Sequence, residues 1–241
     1  MGRRVVAVLL AVGVGGVLSG VLTGCGAFQQ QERFSDDAKV EQAVRGVRLD
    51  TDSGSVRISV GETASVHRDV GYGGSRPGST FRVEGDELVL SGCGERNCWV
   101  DYTVVVPEGV RVLGESSSGD VEVRGAAAVD VRSASGSVTV REVGGPVRVA
   151  ASSGSVELVD TGDTVAVEAD SGDITIRAAK AAGVAAHASS GSIQVTVPRG
   201  AYRVSARSDS GEVDNRVGDD LGAANHLDLD ANSGDITIGF A

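Results

Sequence analysis

Aromatic side chains make up only 3 % of the 241 residues, with a single Trp. Phe, Tyr and Trp bury the most area per residue, so any core here must be built from Val, Ile, Ala and backbone. Lysine is almost missing too, standing only at Lys39 and Lys180, so arginine carries the positive charge. The net charge of −11 repels phosphate backbones, which argues against a nucleic-acid partner. Hydrophobic residues still reach 41 % and glycines number 35, which excludes a disordered chain and points to an ordered β protein with a thin core.

The first 24 residues have the pattern of a signal peptide. Arg3 and Arg4 form a charged start, and Val5 to Leu22 form an apolar run broken only by glycines and Ser19. The run ends in Leu22-Thr23-Gly24-Cys25, which resembles the bacterial lipobox. That resemblance implies cleavage before Cys25 and a diacylglycerol on its thiol, which would anchor the chain on the extracytoplasmic face of the cell membrane. Loss of residues 1–24 removes Arg3 and Arg4 and no acid, taking the net charge from −11 to −13. Residues 25–45 follow as the lipidated Cys and a polar tether, with a short helix expected around Asp37–Val44. The two other cysteines, Cys93 and Cys98, flank a turn-rich gap of four residues, and in an oxidising exterior they are expected to close as a local disulfide.

A repeat governs the rest. Ser-Gly recurs within the same surroundings at Gly54, Gly119, Gly136, Gly154, Gly172, Gly191, Gly211 and Gly234. From Gly119 onward the spacings are 17, 18, 18, 19, 20 and 23. Two residues after each Gly stands Val or Ile, from Val56 to Ile236. Two further on stands another aliphatic residue, with Asn215 the single exception. Seven before it stands Val or Leu, and three before it a small residue. Each unit is therefore an alternating strand, a corner and a second alternating strand. Units of about 18–20 residues cannot form a core alone, but stacked in register they can. The expected fold is all-β: a single-domain β-solenoid over 46–241, with irregular opening coils at 46–113 and regular repeats at 114–241. Repeat phasing makes a strand of the Ala-rich segment near Val184, against its helical composition. The last unit is expected to end the stack, with the loop Asp214–His226 folded over it.

The units Ser118-Gly119-Asp120-Val121-Glu122-Val123, Ser171-Gly172-Asp173-Ile174-Thr175-Ile176 and Ser233-Gly234-Asp235-Ile236-Thr237-Ile238 resemble those of a bacterial "putative adhesin" repeat family of the DUF4097 type. The resemblance implies a β-solenoid and an envelope location. It brings no catalytic residues with it.

A search for chemistry returns little. Asp120, Asp173, Glu212 and Asp235 follow the corners, but Ser55, Ser137, Ser155 and Ser192 interleave with them. Such residues are expected to satisfy backbone donors of the turn, not to form a paired-carboxylate site. His67, His187 and His226 fall in different units, and no metal set, calcium nonapeptide or phosphate loop is present. No catalytic residue, metal or cofactor is expected. The best candidate for a partner surface is the irregular part around Tyr72, Trp99 and Tyr102, on the assumption that these aromatics are exposed. The expected function is a non-catalytic, adhesin-like envelope module that binds an envelope protein or a surface polymer. The alternatives are a self-assembling structural solenoid and, as an outsider, a polysaccharide-active enzyme.

Overall fold

The structure is a computed structural model and describes residues 31–241. The proposed signal peptide and Cys25 lie outside the described residues. All regular structure within them is β: one sheet of 11 strands and one of 10 face each other across a continuous aliphatic core. No helix is long and apolar enough to cross a membrane among the described residues.

Each repeat contributes one strand to each sheet, with the Ser-Gly corner between them. Neighbouring coils pair in parallel and in register, so Val112, Val129, Val147, Val165 and Val184 form one inward row. Val121, Val138, Val156, Ile174 and Ile193 form the facing row. Both rows are buried. A slip of one residue would turn every one of these side chains to solvent, so the pattern fixes the register. The Ala-rich segment is indeed the strand Val184–Ser190, with Val184, Ala186 and Ala188 inward.

The corners form a column that only glycine fits. A Cβ on Gly136, Gly154, Gly172 or Gly234 would lie 2.2–2.3 Å from the carbonyl oxygen of the neighbouring corner glycine, and φ at these residues is between 115° and 139°. The glycine N–H donates to the carbonyl of the Ser in the next coil, as Gly136 does to Ser153 and Gly154 to Ser171. The corner contact is thus made by the backbone carbonyl of the Ser.

The order of coils in space departs from their order in the chain at both ends. Starting from one end, the stack runs 87–106, 46–60, 111–124, 128–141, 147–161, 165–178, 184–197, 225–240 and 202–215. The first repeat coil is thus tucked under coil 87–106, and the last under coil 202–215. The expectation that the final unit ends the stack is wrong. Leu227, Leu229, Ile236 and Ile238 are the bulkiest aliphatics of that end, and the inserted position buries them from both sides. The coil left outside is the polar one: Asn215, the exception in the repeat, occupies its edge, and Val213 is 38 % exposed. The connecting loop, at 216–224, does cover this end. Asp219 accepts from the Val204 N–H (2.9 Å) and the Asp220 N–H donates to the Tyr202 carbonyl (2.8 Å), occupying groups on the free edge of strand Tyr202–Ser210.

The opposite end is built differently. Strand Glu32–Lys39 pairs antiparallel with Ser65–Tyr72, which pairs antiparallel with Cys98–Val106. The polar tether and short helix expected over this stretch are therefore corrected: residues 32–39 are an edge strand. Its alternation was hidden because Asp36, on the inward face, is polar. Arg68 across the ladder neutralises it.

Candidate functional site

The corner carboxylates are structural. Asp101, Asp120, Asp173 and Asp235 each accept a hydrogen bond from a backbone N–H of the adjacent coil, at Ser55 (2.7 Å), Ser137 (2.9 Å), Ser192 (2.8 Å) and Glu212 (2.9 Å). Their oxygens satisfy donors that the corner leaves without a ladder partner. Three of these bonds join an Asp of one coil to the N–H of a Ser in the adjacent one, which accounts for part of the Asp-Ser interleaving in the sequence.

A denser cluster of side chains joins the edge strand to the body. The Arg68 guanidinium, 8 % exposed, donates to both Asp36 oxygens (2.6 and 2.8 Å) and also to the Gly78 carbonyl and Thr80 Oγ1. This bidentate bond holds the Asp36 carboxyl below its ordinary pKa. On the outer face, His67 stands between two carboxylates, with Nδ1 2.7 Å from Asp37 and Nε2 3.3 Å from Asp69. The hydrogen bond to Asp37 is the main cause of its raised pKa. Asp69 in turn is held below its ordinary value chiefly by the Ser35 hydroxyl, then by His67. Ser35 bonds Asp69 and not the imidazole, so the group has no activated nucleophile. It works as a clasp.

The three aromatics expected to form a partner surface do not share one. Tyr102 is completely buried, and its hydroxyl lies 2.7 Å from the Thr80 carbonyl and 2.8 Å from the Ser91 carbonyl. Burial raises its pKa to about 12. Tyr72 is 8 % exposed and donates to Glu32. Trp99 alone lies on the outer face, across Gly71, where a Cβ would meet the indole at 2.3 Å. The Arg33 guanidinium stacks 5.2 Å from its ring centre. Trp99 and Tyr102 are three residues apart on one strand, which puts them on opposite faces. Cys93 and Cys98 are joined in a disulfide, at the corner of coil 87–106, where the regular coils carry Ser-Gly.

A depression of about 820 Å³ lies along the starts of four strands of the 10-stranded sheet. Small side chains form its floor, Ala128, Pro146 and Ala166 among them, and Arg111, Arg132 and Arg148 line it. Arg132 lies 3.8 Å from Glu115. Glu115 and Asp130 line it too, and the register sets Arg148 across from Asp130, so the trough carries three guanidinium groups against two carboxylates. Sequence reading passed over it because the arginines belong to three different units, and only the lateral register brings them together.

Residues 100–239 match the family model described as Toastrack DUF4097. The chain belongs to the Toastrack DUF4097 family. The matched part runs from strand Cys98–Val106 through the regular coils to the tucked last coil. Among solved structures, this Toastrack chain is similar to a "putative cell adhesion protein" from Clostridium sporogenes, at 13 % identity and a TM-score of 0.41, over 87 % of this chain and 100 % of the other. It is also similar to a "putative adhesin" from Bacteroides fragilis, at 12 % identity and a TM-score of 0.45, over 88 % and 99 %. A comparison with curated proteins found no match.

Proposed function

We propose that this Toastrack chain is a lipid-anchored, non-catalytic binding module of the bacterial envelope, held at the membrane through Cys25. The observation that carries the reading is the corner column: the carboxylates of Asp101, Asp120, Asp173 and Asp235 are engaged by backbone N–H groups of the adjacent coil. The Leu22-Thr23-Gly24-Cys25 pattern supports the anchor, and the Cys93–Cys98 disulfide fits an oxidising compartment. Both ends of the stack are covered, so a partner would meet the side faces. The arginine-lined trough is the part of those faces best suited to an anionic surface polymer.

The test is cross-linking in the bacterium that makes the protein, comparing wild type with Cys25→Ala and with Arg111→Ala/Arg148→Ala. Capture of one defined wall polymer or envelope protein, lost in Cys25→Ala and reduced in the arginine variant, is the expected outcome. Recovery of nothing but the protein itself, in an open-ended ladder of oligomers, would contradict it and favour self-assembly.

A further inference from the structure

Three residues before each corner glycine, an inward column of small side chains runs along the stack. In several coils it is alanine: Ala151, Ala169, Ala188 and Ala231, all buried. In three adjacent coils it carries hydroxyls instead. Thr51, Ser116 and Ser133 are register neighbours, and none is more than 4 % exposed. The Ser133 hydroxyl donates to the carbonyl of its own corner residue, Gly136 (3.2 Å). The hydroxyls of Thr51 and Ser116 have no hydrogen-bond partner among the described residues. A buried hydroxyl without a partner is costly, and alanine at these two places would avoid that cost.

The core beside these hydroxyls also lacks a side chain. Two residues earlier, the coils on either side carry aliphatic residues in one row, Leu49, Val131, Val149 and Val167, but coil 111–124 carries Gly114. A Cβ on Gly114 would lie 2.1 Å from the Leu49 carbonyl oxygen, and φ there is 121°, so the strand admits no side chain at this place. Across the core the same coil presents Val121 and Val123, where coil 165–178 presents the larger Ile174 and Ile176. The aliphatic row is interrupted where the two hydroxyls stand unpaired.

We propose that Thr51 and Ser116 hold one buried water molecule in the space beside Gly114, at a site inside the sandwich and independent of any partner on its outer faces. Paired strands lie about 4.8 Å apart, too far for a bond between the two hydroxyls. One water covers that span with two hydrogen bonds of about 2.8 Å. The hydroxyls donate to its oxygen, and its own protons go to the carbonyls of Gly54 and Gly119. These stand in their coils where the Gly136 carbonyl stands beside Ser133. The occupant must be neutral, able to accept and to donate, and no larger than a missing aliphatic side chain, which describes water. It ties strand Gly46–Ser53 to strand Arg111–Ser118, two neighbours in space that are not consecutive in the chain.

The experiment counts long-lived waters in the full chain by magnetic relaxation dispersion of the water oxygen nucleus, which does not register hydroxyl protons. Wild type is compared with Thr51→Ala/Ser116→Ala and with Ser133→Ala. Other coils already accommodate alanine at this position, so the variants are expected to fold. The double variant is expected to lose the dispersion amplitude of one water. Ser133→Ala, whose hydroxyl is already bonded within the chain, is expected to keep the wild-type amplitude. An unchanged amplitude in the double variant would overturn the proposal, and so would an equal drop in Ser133→Ala. A high-resolution crystal structure of the wild-type chain is the second measurement. Density for a water within hydrogen-bond distance of Thr51 Oγ1 and Ser116 Oγ is expected. Hydroxyls turned to bond the Gly54 and Gly119 carbonyls directly, with no water between them, would contradict it.

Discussion

The two ends of this solenoid solve one problem by different chemistry. Each end of a stack exposes strand edges that invite further pairing. At the end nearer the N-terminus, the cover is an antiparallel extension held by charge: Arg68 with Asp36, His67 with Asp37 and Asp69, and Arg33 over Trp99. At the other end the cover is a coil of the regular kind with one polar inward position, Asn215, and with Val213 38 % exposed. The loop 216–224 occupies part of its edge. Both ends are reordered, and the first is clasped by charge as well. The comparison teaches that a repeat protein can end its stack without leaving its most apolar coil outermost, by placing that coil one position in.

The largest effect should come from the C-terminal end. Gly234→Ala puts a methyl group 2.2 Å from the Gly191 carbonyl at a φ of 139°, between two fixed neighbours. It is expected to cost about 3 kcal/mol in denaturant unfolding. Gly211→Ala meets the Gly234 carbonyl at the same 2.2 Å, but in the outermost coil, which can move away. It should cost about 1 kcal/mol. Equal losses would show that both coils are enclosed alike, and the comparison would fail.

Next comes the clasped end. Asp36→Asn leaves the Arg68 guanidinium nearly enclosed without its anion. A loss of about 2 kcal/mol is expected, smaller than for a fully buried pair because the Asp36 side chain is 40 % exposed. No loss would mean that the edge strand is held by its backbone ladder alone. Asp219→Ala removes one acceptor from the edge of the covering coil and should cost about 1 kcal/mol or less.

The pH dependence sharpens the contrast most finely. The pKa of His67 is raised from its ordinary 6.5, so its contribution is fully present below that value and is lost as pH rises through the raised value. Asp36 and Asp69 are lowered from 3.8, so theirs is present above that value and is lost as pH falls through the lowered ones. The clasp is therefore tightest between about pH 4 and 6.5. Amide-exchange protection of residues 32–39, corrected for intrinsic rates, should fall above this window in wild type and change little with pH in His67→Gln. Protection of the coil 202–215 amides should be unaffected. A wild-type profile that matches His67→Gln would contradict the clasp.

Much of this architecture was legible in the residues. The Ser-Gly corners, the two-residue alternation and the small residues three before each glycine specify the coil, its register and its sheet faces. The order of coils was not legible, because coil 202–215 carries the same corner signal as its neighbours and nothing local says which of two equivalent edges it joins. Traces existed in Asn215, in the 23-residue spacing before Gly234 and in the larger aliphatics of the last unit. Strand 32–39 escaped because its inward Asp36 is neutralised by a residue 32 positions away. The aromatic surface failed on parity: Trp99 and Tyr102 sit an odd number of residues apart on one strand. The arginine trough depends on lateral register, which a single chain shows only after the coils are stacked.

The most direct test of the reordered stack is a pair of single-chain cross-links. Thr196→Cys with Gly239→Cys should form an intramolecular disulfide, because coil 225–240 lies beside coil 184–197. Thr196→Cys with Arg216→Cys should not, because a whole coil separates them. Closure of the 196–216 pair with the 196–239 pair remaining open would mean that the coils stack in chain order, and the account of both ends would be wrong.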